Sequence, residues 1–512
     1  MRRFTPLVAA VSVAGLVAAT APRLIGASPD LIDPTLTGSL AVAPPAIAPA
    51  AAQVSDGFEV VGHSSLDMRG MNAAIAVHDG YVYVGSRTDA QPQHLRPGIL
   101  VVDATDPTAP TIVHEIGQPH AANIGETTRE LRIWPQQDVL VVLTFGCSEI
   151  IHACVGGTVT GPRWDFYDIA GDNAAAPVHL ASHTPSRTPH EFFLWVDPHA
   201  PDERALLFWT APTTSSSAPS LVVTDISSVR DGAVGEIAEW RAQFSTPGDR
   251  RLHSLTLTND GSRAHLAFLG AGYLALDTSA VAAGEPNPVI DLVVEPQDRV
   301  WWSDPGAHSA YKVPARDVVL ITDEVYGDAL DPVTGQDHGC PWGWVRVIDI
   351  ADETLPELVG EYRVEENQPS YCDDPVGGSP ANTMSTSFAS HNPTMTPDLA
   401  FITWHSAGLE AIDIADPANP VRVGKFKPDP LPVVVTEDPA LSLGLDKVVM
   451  WSFPVIEDGL IYALDLRNGL YILRYTGPGS DDIDAIEFLE GNSNLGDALR
   501  YEPVPDPEDE SS

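Results

Sequence analysis

The sequence predicts an all-β protein, a seven-bladed β-propeller with four-stranded blades. Two phrases that recur along the chain, and the spacing between their copies, predict this fold. Each phrase reads as a strand, a tight turn and a second strand, so one copy of each supplies the four strands of a blade. Radial repetition protects strand edges that an open sheet of this size would expose.

The closing phrase of each repeat is a short strand of branched residues, a polar turn rich in Asp and Pro, and a second strand. It occurs at 99–113, 345–362 and 409–426, and in looser form at 166–183, 221–237 and 273–292. A degenerate seventh copy at 458–475 lacks the Asp-Pro turn. The marker aspartates are separated by 65, 57, 52, 72 and 64 residues by subtraction, which allows one four-stranded sheet each: Asp103, Asp168, Asp225, Asp277, Asp349 and Asp413.

The opening phrase of each repeat carries a polar residue at the start of its first strand. Two of its seven copies are MNAAIAVHDGYVYVG at 71–85 and HSLTLTNDGSRAHLAFLG at 253–270. The first strand of a propeller blade lines the central channel, so these polar side chains are predicted to form a ring at one channel mouth. The ring consists of Asn72, Arg129, His190, His253, His308, His391 and Ser452.

The phrases GILVVDATDP, RVIDIADETLP and GLEAIDIADPANPVRVG resemble the repeat of the LVIVD-type β-propeller proteins, which are commonly exported from bacteria. The resemblance covers residues 58 to 475 or so. It implies the propeller architecture. It implies no particular reaction, because the family is defined by its repeat and not by a shared chemistry.

The four ring histidines come from successive blades and carry the strongest chemical signal. Imidazole is a common neutral metal ligand, and three or four together suit iron, copper or zinc. This pattern predicts a metal site formed by His190, His253, His308 and His391, with Arg129 as a candidate catalytic residue that stabilises negative charge on a substrate. The alternative is that polar residues at this repeat position hydrogen-bond backbone groups at the blade tops.

Other polar and aromatic residues near this mouth carry weaker signals. Glu130 and Glu191 directly follow ring residues, and strand alternation turns them away from the channel unless the strand starts are irregular. The segment 328–337 offers aspartates for calcium without the EF-hand spacing. Four tryptophans lie in long insertions, where they either stack on a ligand or pack between loops: Trp301, Trp302, Trp342 and Trp344.

The two ends of the chain differ from the repeats. Residues 1–27 have the layout of a signal peptide, with an apolar run shorter than the roughly 20 residues that span a membrane. An Ala/Pro-rich stretch at 28–57 is predicted to be a flexible lead-in to the propeller at 58–476. The acidic tail at 477–512 is predicted to be mostly solvated. We therefore expect a secreted protein, extracellular or periplasmic, with no transmembrane helix.

Charge and cysteine content narrow the choice of partners. With 70 Asp and Glu against 28 Lys and Arg, the formal net charge of −42 makes nucleic acid an improbable partner. Cys147 and Cys154, and Cys340 and Cys372, are predicted to form two local disulfides, as expected in an oxidising compartment.

Two functions remain open at this stage. The first is a monomeric binding or scaffold propeller whose top face holds a protein, a glycan or a small molecule. The second is a metal-dependent oxidoreductase with an ion at the channel mouth. The sequence contains no Gly-x-Ser-x-Gly elbow, P-loop, His-Glu-x-x-His or dinucleotide fingerprint, which argues mildly against an ordinary enzyme.

Overall fold

The computed structural model describes residues 53–87, 94–117, 127–145, 161–246, 250–302, 306–324, 340, 342–379, 382, 386–438 and 441–505. Seven antiparallel sheets follow one another along the chain, five with four strands and two with five. This arrangement confirms the predicted seven-bladed β-propeller.

The first three blades each use four consecutive strands. Blade 1 consists of Asn72–His78, Tyr81–Ser86, Ile99–Asp103 and Thr111–Ile116. Blade 2 consists of Thr127–Trp134, Val139–Phe145, Arg163–Asp168 and Val178–His183. Blade 3 consists of Phe192–Val196, Ala205–Thr210, Leu221–Ser228 and Ala233–Trp240.

The next three blades repeat this order. Blade 4 consists of Leu252–Leu257, Arg263–Phe268, Gly272–Asp277 and Asp291–Leu292. Blade 5 consists of Ala307–Lys312, Val318–Asp323, Val345–Asp349 and Glu357–Tyr362. Blade 6 consists of Pro393–Met395, Leu399–Trp404, Gly408–Asp413 and Val421–Lys427.

Blade 7 is closed by the N-terminal part of the propeller. Its strands Val455–Glu457, Leu460–Asp465 and Gly469–Tyr475 pair in order, and Phe58–Ser64 adds the outer strand beside Gly469–Tyr475. The seventh repeat lacks the Asp-Pro turn because its fourth strand comes from the other end of the sequence. Joining both ends in one sheet leaves the ring without a gap between its first and last blades.

The marker aspartates shape the turn between the third and fourth strands. Asp103 Oδ1 accepts hydrogen bonds from the backbone N–H of Thr105 at 3.0 Å and from its hydroxyl at 2.6 Å. Asp349 and Asp413 each accept one from the N–H two residues later, at 2.8 and 2.9 Å. An Asp side chain that bonds its own backbone two residues on favours a turn, which explains why the repeat carries aspartate there.

The lead-in prediction needs correction at its C-terminal end. Residues 28–52 lie outside the described part, but Val54–Asp56 forms a fifth strand on blade 6, paired with Val421–Lys427. The propeller sheets therefore begin before Phe58, because the free edge of the outer strand offers backbone partners that sequence reading could not locate.

The prediction of a mostly solvated acidic tail was wrong for the described residues up to 505. Ser480–Asp484 and Asp497–Tyr501 are helical, and Phe488–Leu489 pairs with Val455–Glu457 as a fifth strand of blade 7. Apolar residues of this segment are buried against blades 6 and 7, which offsets the cost of ordering an acidic chain: Ile483, Ile486, Leu489.

The other helices among the described residues are single turns at blade edges and in connections. They are Leu66–Met68, Pro135–Gln137, Gly171–Ala174, Val229–Asp231, Ser279–Ala282, Glu365–Asn367 and Pro369–Cys372. Cys340 and Cys372 form the predicted disulfide, with Cα atoms 5.6 Å apart, whereas Cys147 and Cys154 lie outside the described residues. Among the described residues, no helix is both long enough and apolar enough to cross a membrane.

Candidate metal centre

The four predicted histidines come together at one mouth of the channel. Ring centroids are 4.3 Å apart between His190 and His253, 4.1 Å between His253 and His308, and 4.1 Å between His308 and His391. His253, His308 and His391 are almost completely buried, and His190 is partly buried. The side chains form a continuous imidazole arc across blades 3 to 6.

Irregular strand starts aim several of these side chains. The pairing register shifts between Leu252 and Ser254 and between Ala307 and Ser309, so His253 and His308 are the extra residues of β-bulges. A bulge bends the strand and redirects a side chain that regular alternation would point elsewhere. Arg129 occupies the same kind of position in blade 2.

Sequence reasoning missed two further members of the cluster, Glu324 and His405. Each directly follows the second strand of its blade, Val318–Asp323 or Leu399–Trp404, which runs antiparallel to the first strand and returns to the same mouth. Alignment of the residues after the second strands, and not only of those that open the first strands, would have been the signal. The side chain of Glu324 is 6% exposed and that of His405 is fully buried.

Glu324 lies at the centre of the arc, and its two oxygens face different histidines. Oε1 is 3.0 Å from His391 Nε2 and 3.4 Å from His405 Nε2. Oε2 is 3.4 Å from His308 Nε2 and 3.9 Å from His253 Nε2. Ligand atoms about 2.1 Å from a tetrahedral zinc ion would be about 3.4 Å apart, so these separations fit donors that share an ion.

Hydrogen bonds on the far sides of three rings orient their Nε2 atoms toward Glu324. His391 Nδ1 donates to the carbonyl of Trp451, which can only accept, so the neutral ring presents a lone pair at Nε2. Nδ1 of His405 bonds the hydroxyl of Ser387 at 2.9 Å, and Nδ1 of His308 bonds that of Ser309. Metal-binding histidines typically have their second nitrogen held in this way.

Burial favours the neutral form of His190, His253 and His308. It lowers the pKa of His253 to about 3, and it holds the pKa values of His190 and His308 well below their ordinary value. The nearby charge of Arg129 adds to the effect on His190. Neutral imidazole is the form that binds a metal ion.

The carboxylates respond to different surroundings. Burial, reinforced by the charge of Glu130, raises the pKa of Glu191 to about 8. Burial also opposes ionisation of Glu324, but His308 and His391 together hold its pKa well below the usual range. Glu324 Oε1, His308 Nε2 and His391 Nε2 have no hydrogen-bond partner of acceptable geometry within the described part of the chain. A bound cation would satisfy these atoms together.

Glu191 enters the cluster, contrary to the alternation rule. It lies in irregular backbone just before the strand Phe192–Val196, and its Oε1 is 3.6 Å from His308 Nε2 and 3.7 Å from an Arg129 guanidinium nitrogen. Glu130 instead pairs with Arg132 at 3.3 Å, as expected of an ordinary ion pair. Glu191 therefore reaches the cluster because the backbone at the start of its strand is irregular.

Asn72 and Ser452 occupy ring positions but serve the backbone. Asn72 Nδ2 donates to the carbonyl of Leu466 at 3.1 Å, and its Oδ1 accepts from Arg69 Nε at 2.7 Å. Ser452 Oγ accepts from the N–H of Ile75 at 3.3 Å. For these two residues the backbone-bonding alternative describes the contacts.

The tryptophans mostly pack between loops. Trp342 is buried against Phe388, with ring centroids 4.9 Å apart. Arg346 lies 4.3 Å from the Trp302 ring centroid and 4.7 Å from that of Trp344. Trp301 is 53% exposed. The segment 328–337, considered for calcium, lies outside the described residues.

The C-terminal segment covers the opposite mouth of the channel. The carbonyl of Asn492 accepts from Leu194 N–H at 3.1 Å, and the Asn494 side chain bonds both backbone groups of Val196 at 2.8 Å. Asn259 Nδ2 donates to the carbonyls of Ala498 and Glu502 at 2.8 Å. These contacts fall at the far ends of first strands whose beginnings carry the histidines. These contacts of the C-terminal segment therefore lie away from the strand starts that carry the histidines.

Comparison with family models identifies one repeat in the chain. The LVIVD repeat matches residues 398–427. This stretch includes three strands of blade 6, Leu399–Trp404, Gly408–Asp413 and Val421–Lys427. No curated protein matches the sequence significantly.

Solved propellers resemble the chain at low sequence identity. Sqt1 from Chaetomium thermophilum is 14% identical, with a TM-score of 0.43 and coverage of 84% of this chain and 87% of that one. The same protein bound to the N-terminus of ribosomal protein L10 is 14% identical, with a TM-score of 0.42 and coverage of 82% of this chain and 89% of that one. The β-propeller domain of Cps50 (Swd1) from Myceliophteria thermophila is 8% identical, with a TM-score of 0.42 and coverage of 82% of this chain and 98% of that one. The chain is a seven-bladed β-propeller that carries an LVIVD repeat.

Proposed function

We propose that this chain is a metal-binding propeller protein that holds a transition-metal ion among the histidines at the channel mouth. One observation carries the proposal: the buried Glu324 carboxylate faces the Nε2 atoms of four histidines at 3.0 to 3.9 Å. Burying a carboxylate costs several kcal/mol unless a positive charge or good hydrogen bonds compensate it. A cation bound between these atoms supplies that charge.

The donor set favours iron, zinc or copper over calcium or magnesium. The potential ligands fall into triads of two histidines and one glutamate, with their donor atoms within 4.8 Å of one another. Imidazole suits zinc, copper and iron, whereas calcium and magnesium prefer oxygen ligands. Two histidines and one carboxylate also leave coordination positions open, as in catalytic zinc sites and non-haem iron oxygenases.

A metal-dependent oxidoreductase is the second candidate, and the same triads favour it. In this function the ion supplies the redox chemistry. Arg129, whose guanidinium lies 3.7 Å from Glu191, places a positive charge beside the centre and can attract an anionic substrate group. Binding of nitric oxide to the iron(II)-loaded protein, read by electron paramagnetic resonance (EPR), would test for the open coordination position. A loaded protein that forms no nitrosyl adduct would contradict this candidate.

Elemental analysis of the purified mature protein tests the main proposal. We expect stoichiometric iron, copper or zinc, either as isolated or after incubation with each metal salt and removal of excess. A variant with His253→Ala, His308→Ala and His391→Ala should lose it, because each triad loses at least one donor. A folded wild-type protein that takes up none of these metals would overturn the proposal without reference to any variant.

The matched control replaces three histidines outside the cluster, at positions 63, 179 and 265. His63 stacks on Tyr471 at 4.3 Å in blade 7, and His265 bonds the Tyr273 hydroxyl at 2.8 Å in blade 4. The His63→Ala, His179→Ala, His265→Ala protein should retain the metal. Loss of metal in both triple variants would show that damage to the fold, and not removal of ligands, causes the effect.

Export from the cytoplasm and a scaffold role are two further parts of the proposal. The signal-like residues 1–27 and the Cys340–Cys372 disulfide support an oxidising compartment outside the cytoplasm. In a scaffold role the top face would hold a protein, glycan or small molecule without a metal. N-terminal sequencing of protein from the culture medium or periplasm checks the export; a chain found in the cytoplasm with its N-terminus intact would contradict it.

A further inference from the structure

The two oxygens of Glu324 divide the histidines into two pairs. His391 and His405 approach Oε1, whereas His308 and His253 approach Oε2. Each pair forms a separate group with the glutamate, with all donor atoms of the group within 4.8 Å. A carboxylate placed between two sets of ligands can bind one ion through each oxygen.

The first pair has the geometry of a complete ligand triad. His391 Nε2 and His405 Nε2 lie 3.0 and 3.4 Å from Oε1, close to the separation of about 3.4 Å between ligands of a tetrahedral ion. The Nδ1 atoms of both rings are held by Trp451 and Ser387. Their Nε2 atoms are therefore directed at Oε1 before an ion binds.

The second pair has additional ligands nearby. Nε2 of His308 and His253 lies 3.4 and 3.9 Å from Oε2. His190 Nε2 is 2.7 Å from His253 Nε2, and Glu191 Oε1 is 3.6 Å from His308 Nε2. The triad of His190, Glu191 and His253 shares His253 with this pair, so it extends the second site and does not add a third.

We propose that the centre is dinuclear, with two transition-metal ions bridged by the Glu324 carboxylate. The inference rests on the proposed metal-binding function and specifies its stoichiometry and its bridging ligand. His391, His405 and Oε1 hold the first ion; His253, His308 and Oε2 hold the second, with His190 and Glu191 beside it. Two ions held in this way are about 3.5–4 Å apart, a spacing typical of two-metal enzyme sites.

Titration of the metal-free full chain with zinc, followed by direct measurement of bound metal, is the first test. We expect saturation at two ions per chain. Saturation at one ion would overturn the dinuclear proposal and leave the metal-binding function standing. Saturation at zero would overturn both.

Single substitutions on the two sides of Glu324 provide the second test. His405→Ala removes a ligand of the first ion only, and His308→Ala removes a ligand of the second only, so each should halve the bound zinc. The matched controls His265→Ala and Glu490→Gln change a buried histidine and a buried carboxylate outside the triads and should keep both ions. Loss of all zinc in both single variants would indicate one shared ion and contradict the proposal.

The bridge itself is tested with copper(II) and EPR. Two copper ions joined by one carboxylate interact magnetically, so the integrated signal of the wild type should fall below its measured copper content. The His405→Ala protein, left with one ion, should give a signal equal to its copper content. If Glu324→Gln binds two ions with the wild-type spectrum, Glu324 is not the bridge and the proposal fails.

Discussion

The two sides of the channel mouth use one repeat position in opposite ways. On blades 3 to 6 the residues are histidines whose nitrogens point toward each other and toward Glu324. On blades 7 and 1 they are Ser452 and Asn72, which form hydrogen bonds with backbone groups. A polar residue satisfied by the backbone stabilises a blade, whereas buried imidazole nitrogens that converge on one carboxylate are suited to a ligand.

Arg69 anchors the backbone-bonding side and should give the largest effect on stability. It is fully buried and donates to Asn72 Oδ1 at 2.7 Å and to the carbonyls of Arg96 and Gly98 at 2.9 Å, as well as to those of Val84 and Gly85. Arg69→Ala leaves these acceptors without their donor and should lower the free energy of unfolding by about 3–5 kcal/mol.

Urea denaturation of the metal-free protein measures this loss. Bound metal per folded chain should be unchanged in the Arg69→Ala protein, because the arginine contacts no cluster residue in the described hydrogen bonds. A folded Arg69→Ala protein that binds no metal would show that the two sides are not separable.

Metal addition should stabilise the protein through the histidine side. At a free metal concentration about 100 times the Kd, binding to one site raises the free energy of unfolding by about 2.7 kcal/mol. His308→Ala should lose one of the two such increments expected for two sites, because one site is removed, while Asn72→Ala should keep both. The unfolding temperatures of both variants are measured with and without zinc. An equal zinc-dependent rise in both would contradict the assignment of metal binding to the histidine side alone.

Ser452→Ala should give the smallest effect. It removes the hydrogen bond from Ile75 N–H at 3.3 Å, which is worth about 0.5–1.5 kcal/mol. Metal content should not change. A measurable loss of metal in this variant would place Ser452 among the groups that support the centre. It would contradict the claim that the backbone-bonding side takes no part in metal binding.

The architecture could be predicted from sequence because the repeat encodes it locally. Each marker aspartate, such as Asp103, bonds the backbone of its own turn, so the turn is specified within a few residues. The degenerate seventh repeat was recognised, but its outer strand, Phe58–Ser64, comes from the other end of the chain and has no local signature. The burial of Ile483 and Leu489 likewise depends on surfaces of distant blades.

The site could be predicted only in part. The alignment of opening phrases located the four histidines, because repeats place equivalent residues at equivalent heights in the channel. It could not separate them from Asn72 and Ser452, which share the position but find backbone partners. It also missed Glu324 and His405, since they follow the second strands and lie in no shared phrase.

The sequence by itself determined the seven blades, the turns and the channel mouth at which the polar ring lies, because these follow from periodic patterning and local hydrogen bonds. The tertiary structure decided which ring residues converge, since β-bulges at the strand starts set the direction of His253 and His308. It also placed Glu324 between these two histidines on one side and His391 and His405 on the other. Bulges and convergence depend on packing between neighbouring blades, which no single repeat encodes.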